Sequence, residues 1–225
     1  MVLAAHEALG GPRRAALAAG AALEMVHAYS LAHDDLPSMD NDDFRRGRPT
    51  LHKAFGEAQA ILAGDALLTL SFEVLAQCPG VSPKVRAHMV AHLAQAAGPQ
   101  AMVGGQWQDL FEDNQSEQAV LSLHEKKTSA LFSTSCMLGG LVSSCDNDTL
   151  SCLSDFGRLL GLAYQVKDDI EDEKRDRQPP NLACLLGRKA AEEVYLRIRS
   201  QIQLSLAPLG EKGKWLLALE EEIMR

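Results

Sequence analysis

Alanine and leucine dominate the apolar positions of this chain, and no stretch shows the Val-, Ile- and Thr-rich alternation of a half-buried strand. Proline and glycine punctuate the apolar runs, falling between them. The pattern predicts an all-α protein. Gly10-Gly11-Pro12 separates a short first segment from a helix that starts near Pro12, a residue suited to a first turn. That helix continues to about Leu36, where Pro37 must end or bend it. Further helices are predicted over 57–77 and 83–110, as a broken pair across 117–142, and over 150–172, 188–206 and 211–224. Several are apolar on every side, which suits central helices better than surface ones. No repeat, low-complexity tract or linker divides residues 1–225, so one domain is expected.

Composition narrows the class. A chain of 225 residues can bury a sizeable core. The formal net charge of −8 argues against a nucleic-acid binder, which needs a basic stripe. The five cysteines are odd in number and form no CxxC pair, so buried free thiols in a reducing cytoplasm are expected. The apolar stretch 15–26 carries Glu24 and is short for a bilayer, and no signal peptide is evident. A cytoplasmic protein with no transmembrane segment follows.

Much of the acid excess sits in two clusters. The first is Asp34-Asp35-Leu36-Pro37-Ser38-Met39-Asp40, followed by Arg45-Arg46-Gly47; the second is Asp168-Asp169-Ile170-Glu171-Asp172. Carboxylates this dense repel one another unless a cation lies between them. Asp168 and Asp172 share a helix face, where like charges destabilise by roughly 0.2–0.5 kcal/mol. They also lie near a helix C-terminus, where the dipole disfavours anions. Mg²⁺ suits such a site, because it takes oxygen ligands and shares its shell with substrate phosphates. Arginines beside the first cluster suit phosphate oxygens. The two clusters together read as a site for a diphosphate held through metal ions. No Ser/His/Asp or Cys/His arrangement points to a side-chain nucleophile. The histidines His6, His52, His88, His92 and His124 show no zinc-site spacing, and Trp107 and Phe132 read as core residues.

The run from His27 through Asp34-Asp35, Asp40 and Arg45-Arg46-Gly47 to Thr50 resembles the first aspartate-rich motif of the trans-isoprenyl diphosphate synthases. The resemblance continues at Phe55-Gly56-Glu57, Ile61–Leu68, Gly104-Gly105-Gln106-Trp107-Gln108-Asp109, Lys127–Phe132 and Gly161–Asp172. It covers residues 1–173 well and the remainder weakly. It implies an isoprenoid-synthase helical bundle around a central hydrophobic cavity. The implied reaction joins an allylic diphosphate to isopentenyl diphosphate and releases pyrophosphate, with Mg²⁺ as cofactor and a homodimer as the assembly. Carried over residue by residue, Asp34, Asp40 and Asp168 would hold Mg²⁺, with Asp35 and Asp172 in support and Asp169 among the catalytic carboxylates. Arg45, Lys127 and Gln165 would clasp the allylic diphosphate. His27 and Arg46 would belong to the isopentenyl diphosphate pocket, and Lys127 and Thr128 would lie near the allylic cation. Tyr29 and Ser30, one turn before the first aspartate, would set product length. A ring at Tyr29 suits farnesyl diphosphate, with geranylgeranyl diphosphate as the alternative.

The chain departs from the family pattern in two places. It is expected to lack the preceding helices and their Gly-Lys-x-x-Arg-Pro element. The segment after Asp172 is expected to be a short loop running from Glu173 into Leu182–Gly187, and Lys167 stands where a neutral residue is usual. These departures leave three readings: a truncated form of an active synthase, a short form that binds allylic diphosphate and condenses poorly, or a non-catalytic partner subunit. Terpene cyclases share the fold, but Arg45-Arg46, Gly104-Gly105-Gln106 and Lys127-Thr128 favour chain elongation.

Overall fold

A computed structural model describes residues 1–113, 115–172 and 181–225. The short loop expected over 173–180 lies outside the described residues. The described chain is helical apart from one two-stranded hairpin. Its helices are α1 (Val2–Ala8), α2 (Leu17–Asp34), α3 (Leu51–Phe55), α4 (Glu57–Ala76), α5 (Pro83–Ala97), α6 (Met102–Phe111), α7 (Glu117–His124), α8 (Ala130–Val142), α9 (Asn147–Asp172), α10 (Leu182–Leu186), α11 (Arg188–Leu206) and α12 (Glu211–Ile223). The hairpin pairs β1 (Phe44–Arg45) with β2 (Arg48–Pro49).

The all-α expectation holds, and the long helices begin and end within a few residues of their predicted bounds. The expected helix 83–110 is two helices, because Pro99 cannot donate to a helical ladder and breaks it after Gly98. The broken pair across 117–142 breaks in an unexpected way. A π-helical turn, Glu125–Ser129, joins α7 to α8 without a loop. Such turns insert one extra residue and are common at functional sites.

Two apolar clusters fill the interior. One gathers Val26 and Tyr29 of α2, Leu75 of α4, Met89 and Leu93 of α5, Met102 of α6 and Leu131 and Leu138 of α8. The other gathers α9 with α10, α11 and α12 around Phe156, Leu160, Val166, Leu182, Ile202 and Leu216. The antiparallel pair α8 and α9 joins the two halves. The helices approach closely because Gly161 faces the start of α8. A Cβ there would lie 2.8 Å from Ser129 Cα and 3.0 Å from Phe132 Cβ.

The helix α2 with its preceding turn, and the helix α4, are each long and apolar enough to cross a membrane by length and composition. In this fold they pack along one another. His33 Nε2 lies 3.1 Å from the Ile61 carbonyl and ties the two together. All five cysteines are free: Cys78 and Cys136 are buried as expected, Cys145 and Cys152 are half-buried, and Cys184 is exposed at the start of α10. Trp107 is not core, for it is 56% exposed on α6 against Phe111.

Candidate active site

The first acidic cluster forms where α2 stops. The residue before a proline avoids helical backbone, so Pro37 turns the chain after Leu36. The turn folds back until the Asp40 amide donates to the Asp34 carbonyl at 2.9 Å. Asp34 and Asp40 are thereby brought together. Beyond them the hairpin turns at Arg46 and Gly47, both with positive φ (52° and 74°). That geometry matches the twist of paired strands but strains a non-glycine residue by about 1–2 kcal/mol. It sets Arg46 at the tip. Thr50 Oγ1 donates to the Asp42 carbonyl at 2.7 Å and closes the loop.

Adjacent aspartates on a helix face different directions, and the two members of each pair meet different surroundings. The Asp34 carboxyl is pushed up to about 6, chiefly by burial, with Lys127 and Arg45 pulling down and Asp40 and Asp35 pushing up. Asp35 is only 4% exposed and accepts from Arg45 Nε and Nη2 at 2.8 and 2.7 Å. The second cluster repeats the division. The Asp168 carboxyl is pushed up to about 6, first by burial and then by Glu171, Asp172 and Asp169. Asp169 is 7% exposed and bonded to His124 at 2.8 Å and to the Leu182 amide at 2.8 Å.

Asp169 is thus turned into the interior, and Asp35 ties the hairpin to the end of α2 by accepting both Arg45 bonds through Oδ1. A buried carboxylate must be paired, and the nearest donor takes it.

The cations converge from the other side. Lys127, in the π-helical turn, forms an ion pair with Asp109 of α6. It is also close enough to lower both Asp34 and Asp40. The Asp40 carboxyl is raised by partial burial and by Asp109 and Asp42. Asp109 therefore belongs to the site, although the sequence offered only an acid at the end of the Gly104–Asp109 motif as a signal. Gly105 permits the approach, since a Cβ there would lie 2.5 Å from the Lys127 backbone nitrogen. Thr128 Oγ1 donates to Gln165 Oε1 at 2.9 Å, which joins two of the expected site residues. The amide of Gln106 is buried with neither its oxygen nor its nitrogen partnered.

The Tyr164 hydroxyl is raised first by Asp168 and then by burial, and lowered by Lys167 and Arg46. Lys167 lies 3.4 Å from Glu171 and offsets part of the acid density. Asp172 adds its charge to Asp168. Tyr29 is buried beneath Asp34, Ser30 donates to the His27 carbonyl at 3.0 Å, and His27 is exposed on α2. An open cleft of about 750 Å³ bordered by His92, Glu125 and Arg158 lies elsewhere and shares no residue with the acidic clusters.

Among the described residues no three acidic, histidine or cysteine side chains are grouped as a ready-made metal cage. Mg²⁺ does not require one. It binds through one or two carboxylates and completes its shell with water and substrate phosphates. Asp34 and Asp168, each raised by burial and by like charges, fit that description.

The family model described as Polyprenyl synthetase matches residues 1–179. A farnesyl diphosphate synthase of Geobacillus stearothermophilus is 44% identical over 178 residues, covering 76% of this chain and 59% of that protein. The chain thus spans about three fifths of the length of the curated relatives it matches. A solved FPP/GFPP synthase from Zymomonas mobilis superposes with a TM-score of 0.91 at 37% identity, covering 99% of this chain and 81% of the other. A geranyltransferase from Helicobacter pylori, complexed with magnesium and isoprenyl diphosphate, superposes with a TM-score of 0.86 at 28% identity, covering 99% and 82%.

Proposed function

The chain belongs to the polyprenyl synthetase family, and on that premise we propose that it is a Mg²⁺-dependent trans-prenyltransferase. It condenses geranyl or dimethylallyl diphosphate with isopentenyl diphosphate, giving a short-chain prenyl diphosphate, farnesyl diphosphate foremost, and pyrophosphate. The observation that supports this reading is Lys127, ion-paired with Asp109 and near enough to Asp34 and Asp40 to lower both, beside the acidic cluster at the end of α2.

The chemistry asks little of any nucleophile. The allylic C–O bond breaks, leaving a carbocation and pyrophosphate. The double bond of isopentenyl diphosphate attacks the cation, and the pyrophosphate takes the proton then lost. Mg²⁺ held by Asp34, Asp40 and Asp168, with Asp172 in support, would neutralise the leaving group as its charge develops. Lys127 would leave Asp109 for the diphosphate, adding a charge-assisted bond where charge builds. The Thr128–Gln165 pair would turn its oxygens toward the cation. Arg46 at the hairpin tip, with His27, would take the second diphosphate. Tyr29 and Ser30 would meet the hydrocarbon tail below Asp34, and the buried ring would stop growth near C15.

We read residues 1–225 as one polyprenyl-synthetase domain of a soluble, cytoplasmic protein that binds no nucleic acid, with α2 and α4 as bundle helices. A homodimer is the proposed assembly. The apolar side chains Val103, Trp107, Leu110 and Phe111 stand exposed along one face of α6, and Ile61, Leu62 and Leu70 are exposed on α4, surface that a second copy would cover.

The deciding experiment incubates the purified chain with Mg²⁺, geranyl diphosphate and labelled isopentenyl diphosphate and sorts the products by length. A C15 product is expected. No product, with Mg²⁺-dependent geranyl diphosphate binding intact, would make the chain a binding subunit and refute the transferase reading.

A further inference from the structure

The buried bond between His124 and Asp169 is one rung of a ladder that holds the two halves of the site in register. An ionised carboxylate only accepts, so the His124 Nε2–H donates to Asp169 Oδ2 across 2.8 Å. Asp169 Oδ2 also accepts from the Leu182 amide at 2.8 Å, and the Asp169 carbonyl accepts from Asn181 Nδ2 at 3.1 Å. One helical turn along, Thr128 Oγ1 donates to Gln165 Oε1 at 2.9 Å. A further turn along, Phe132 meets Gly161. Each step of four residues forward through the π-helical turn is matched by a step of four back along α9.

This ladder joins the segment that carries Lys127 to the segment that carries Asp168. Both side chains of its innermost rung are buried, and neither reaches the cleft. We propose that His124 is a positioning residue: through Asp169 it fixes where Asp168 stands relative to Lys127 and Thr128. The inference rests on the transferase reading above. Without the imidazole N–H, the buried Asp169 carboxylate keeps, among the described residues, the Leu182 amide alone and draws α9 toward water. A displacement of about 1 Å at a reacting group can lower a rate about 100-fold.

The test compares the full chain with His124→Leu, His124→Gln, Asp169→Asn and Asp168→Asn. The readouts are pyrophosphate binding in Mg²⁺ by calorimetry, kcat and KM for both substrates, and melting. His124→Leu removes the donor; its pyrophosphate affinity and kcat should fall roughly 10–100-fold well below its melting midpoint, as supporting partners of metal ligands do. His124→Gln can restore an N–H near Nε2 and should recover most of that loss. Asp169→Asn keeps an acceptor oxygen for both donors and should cost less than Asp168→Asn. A folded His124→Leu with wild-type affinity and kcat overturns the proposal, as does an Asp169→Asn as damaged as Asp168→Asn. If His124→Leu does not fold, failure of His124→Gln to bind pyrophosphate as the wild type does overturns it equally. A wild-type chain that neither makes product nor binds pyrophosphate refutes the transferase reading itself, and this proposal with it. Wild-type turnover alongside an undamaged His124→Leu refutes the proposal alone.

Discussion

Asp34 and Asp35 are neighbours in sequence and opposites in environment. One carboxyl is half-buried and held up near 6; the other lies under the Arg45 guanidinium. The same division recurs at Asp168 and Asp169, where the inward partner is His124. In each pair, one carboxyl is held up near 6 and the next is tied to a neighbouring element.

The anchoring role makes a stability prediction. Arg45→Ala leaves the buried Asp35 carboxylate without its two charge-assisted bonds, and should cost about 1–3 kcal/mol. The guanidinium is about a third exposed, which holds the loss below that of a fully buried pair. Urea unfolding measures it. A loss no larger than that of an exposed arginine such as Arg13 would show that the hairpin does not depend on the pair.

A pH dependence follows from the carboxyls that face the cleft. The folded-state value for Asp34 is raised from 3.8 to about 6, so protonation favours the folded state. The resulting stability is fully present below about pH 4 and is lost as the pH rises through about 6. Asp34→Asn removes that loss. Without metal, it should therefore melt higher than the wild type near neutral pH, by a few degrees, with the gap closing as the pH falls toward 4. Mg²⁺ with pyrophosphate should reverse the order, stabilising only the wild type. Equal melting curves at neutral pH would mean that Asp34 is better solvated than its burial indicates.

Most of the helical framework was legible from the apolar runs, and the two acidic clusters were legible as concentrations of charge. What the sequence did not disclose was rotation. Asp169 and Asp168 read alike when written in a line, and only the 100° turn between adjacent helical residues gives them different surroundings. Arg45 beside an acidic cluster reads equally as a phosphate ligand and as a partner for Asp35. The choice depends on the hairpin, which has only two residues per strand to betray it. Pro99 was legible and its effect within 83–110 was missed. The π-helical turn had no signal, because an extra residue in a helix leaves the apolar pattern nearly intact.

Gly105 tests how closely the reaction depends on backbone contact. Its hydrogen faces the Lys127 backbone, and an added methyl would meet atoms that cannot swing aside: nitrogen at 2.5 Å and Cα at 2.8 Å. Gly105→Ala should push α6 from the π-helical turn and cost about 1–3 kcal/mol by overpacking. The displacement also parts Asp109 from Lys127, so kcat should fall by more than stability alone accounts for. Turnover measured well below the melting midpoint separates the two effects. Unchanged turnover would show that Lys127 finds its place without α6.

Tyr29 offers the sharpest test of the hydrocarbon site. Its ring is buried among Val26, Met102 and Leu131, directly beneath the Asp34 end of α2. Burial, then the Asp34 charge, raises its hydroxyl, so the phenol stays neutral. Tyr29→Ala removes the ring. The lost packing should cost about 3–5 kcal/mol, so the variant must be assayed at a temperature where it remains folded. If a chain grows until it meets Tyr29, the shortened side chain gives room for at least one more isoprene unit. The product should then shift from C15 toward C20 with the rate of the first condensation little changed. Reverse-phase separation of the dephosphorylated alcohols reads the distribution directly. A variant that is folded and active with an unaltered distribution would remove Tyr29 from the control of product length and move that role to Ser30 or to the α8 side of the cluster around Leu131 and Leu138.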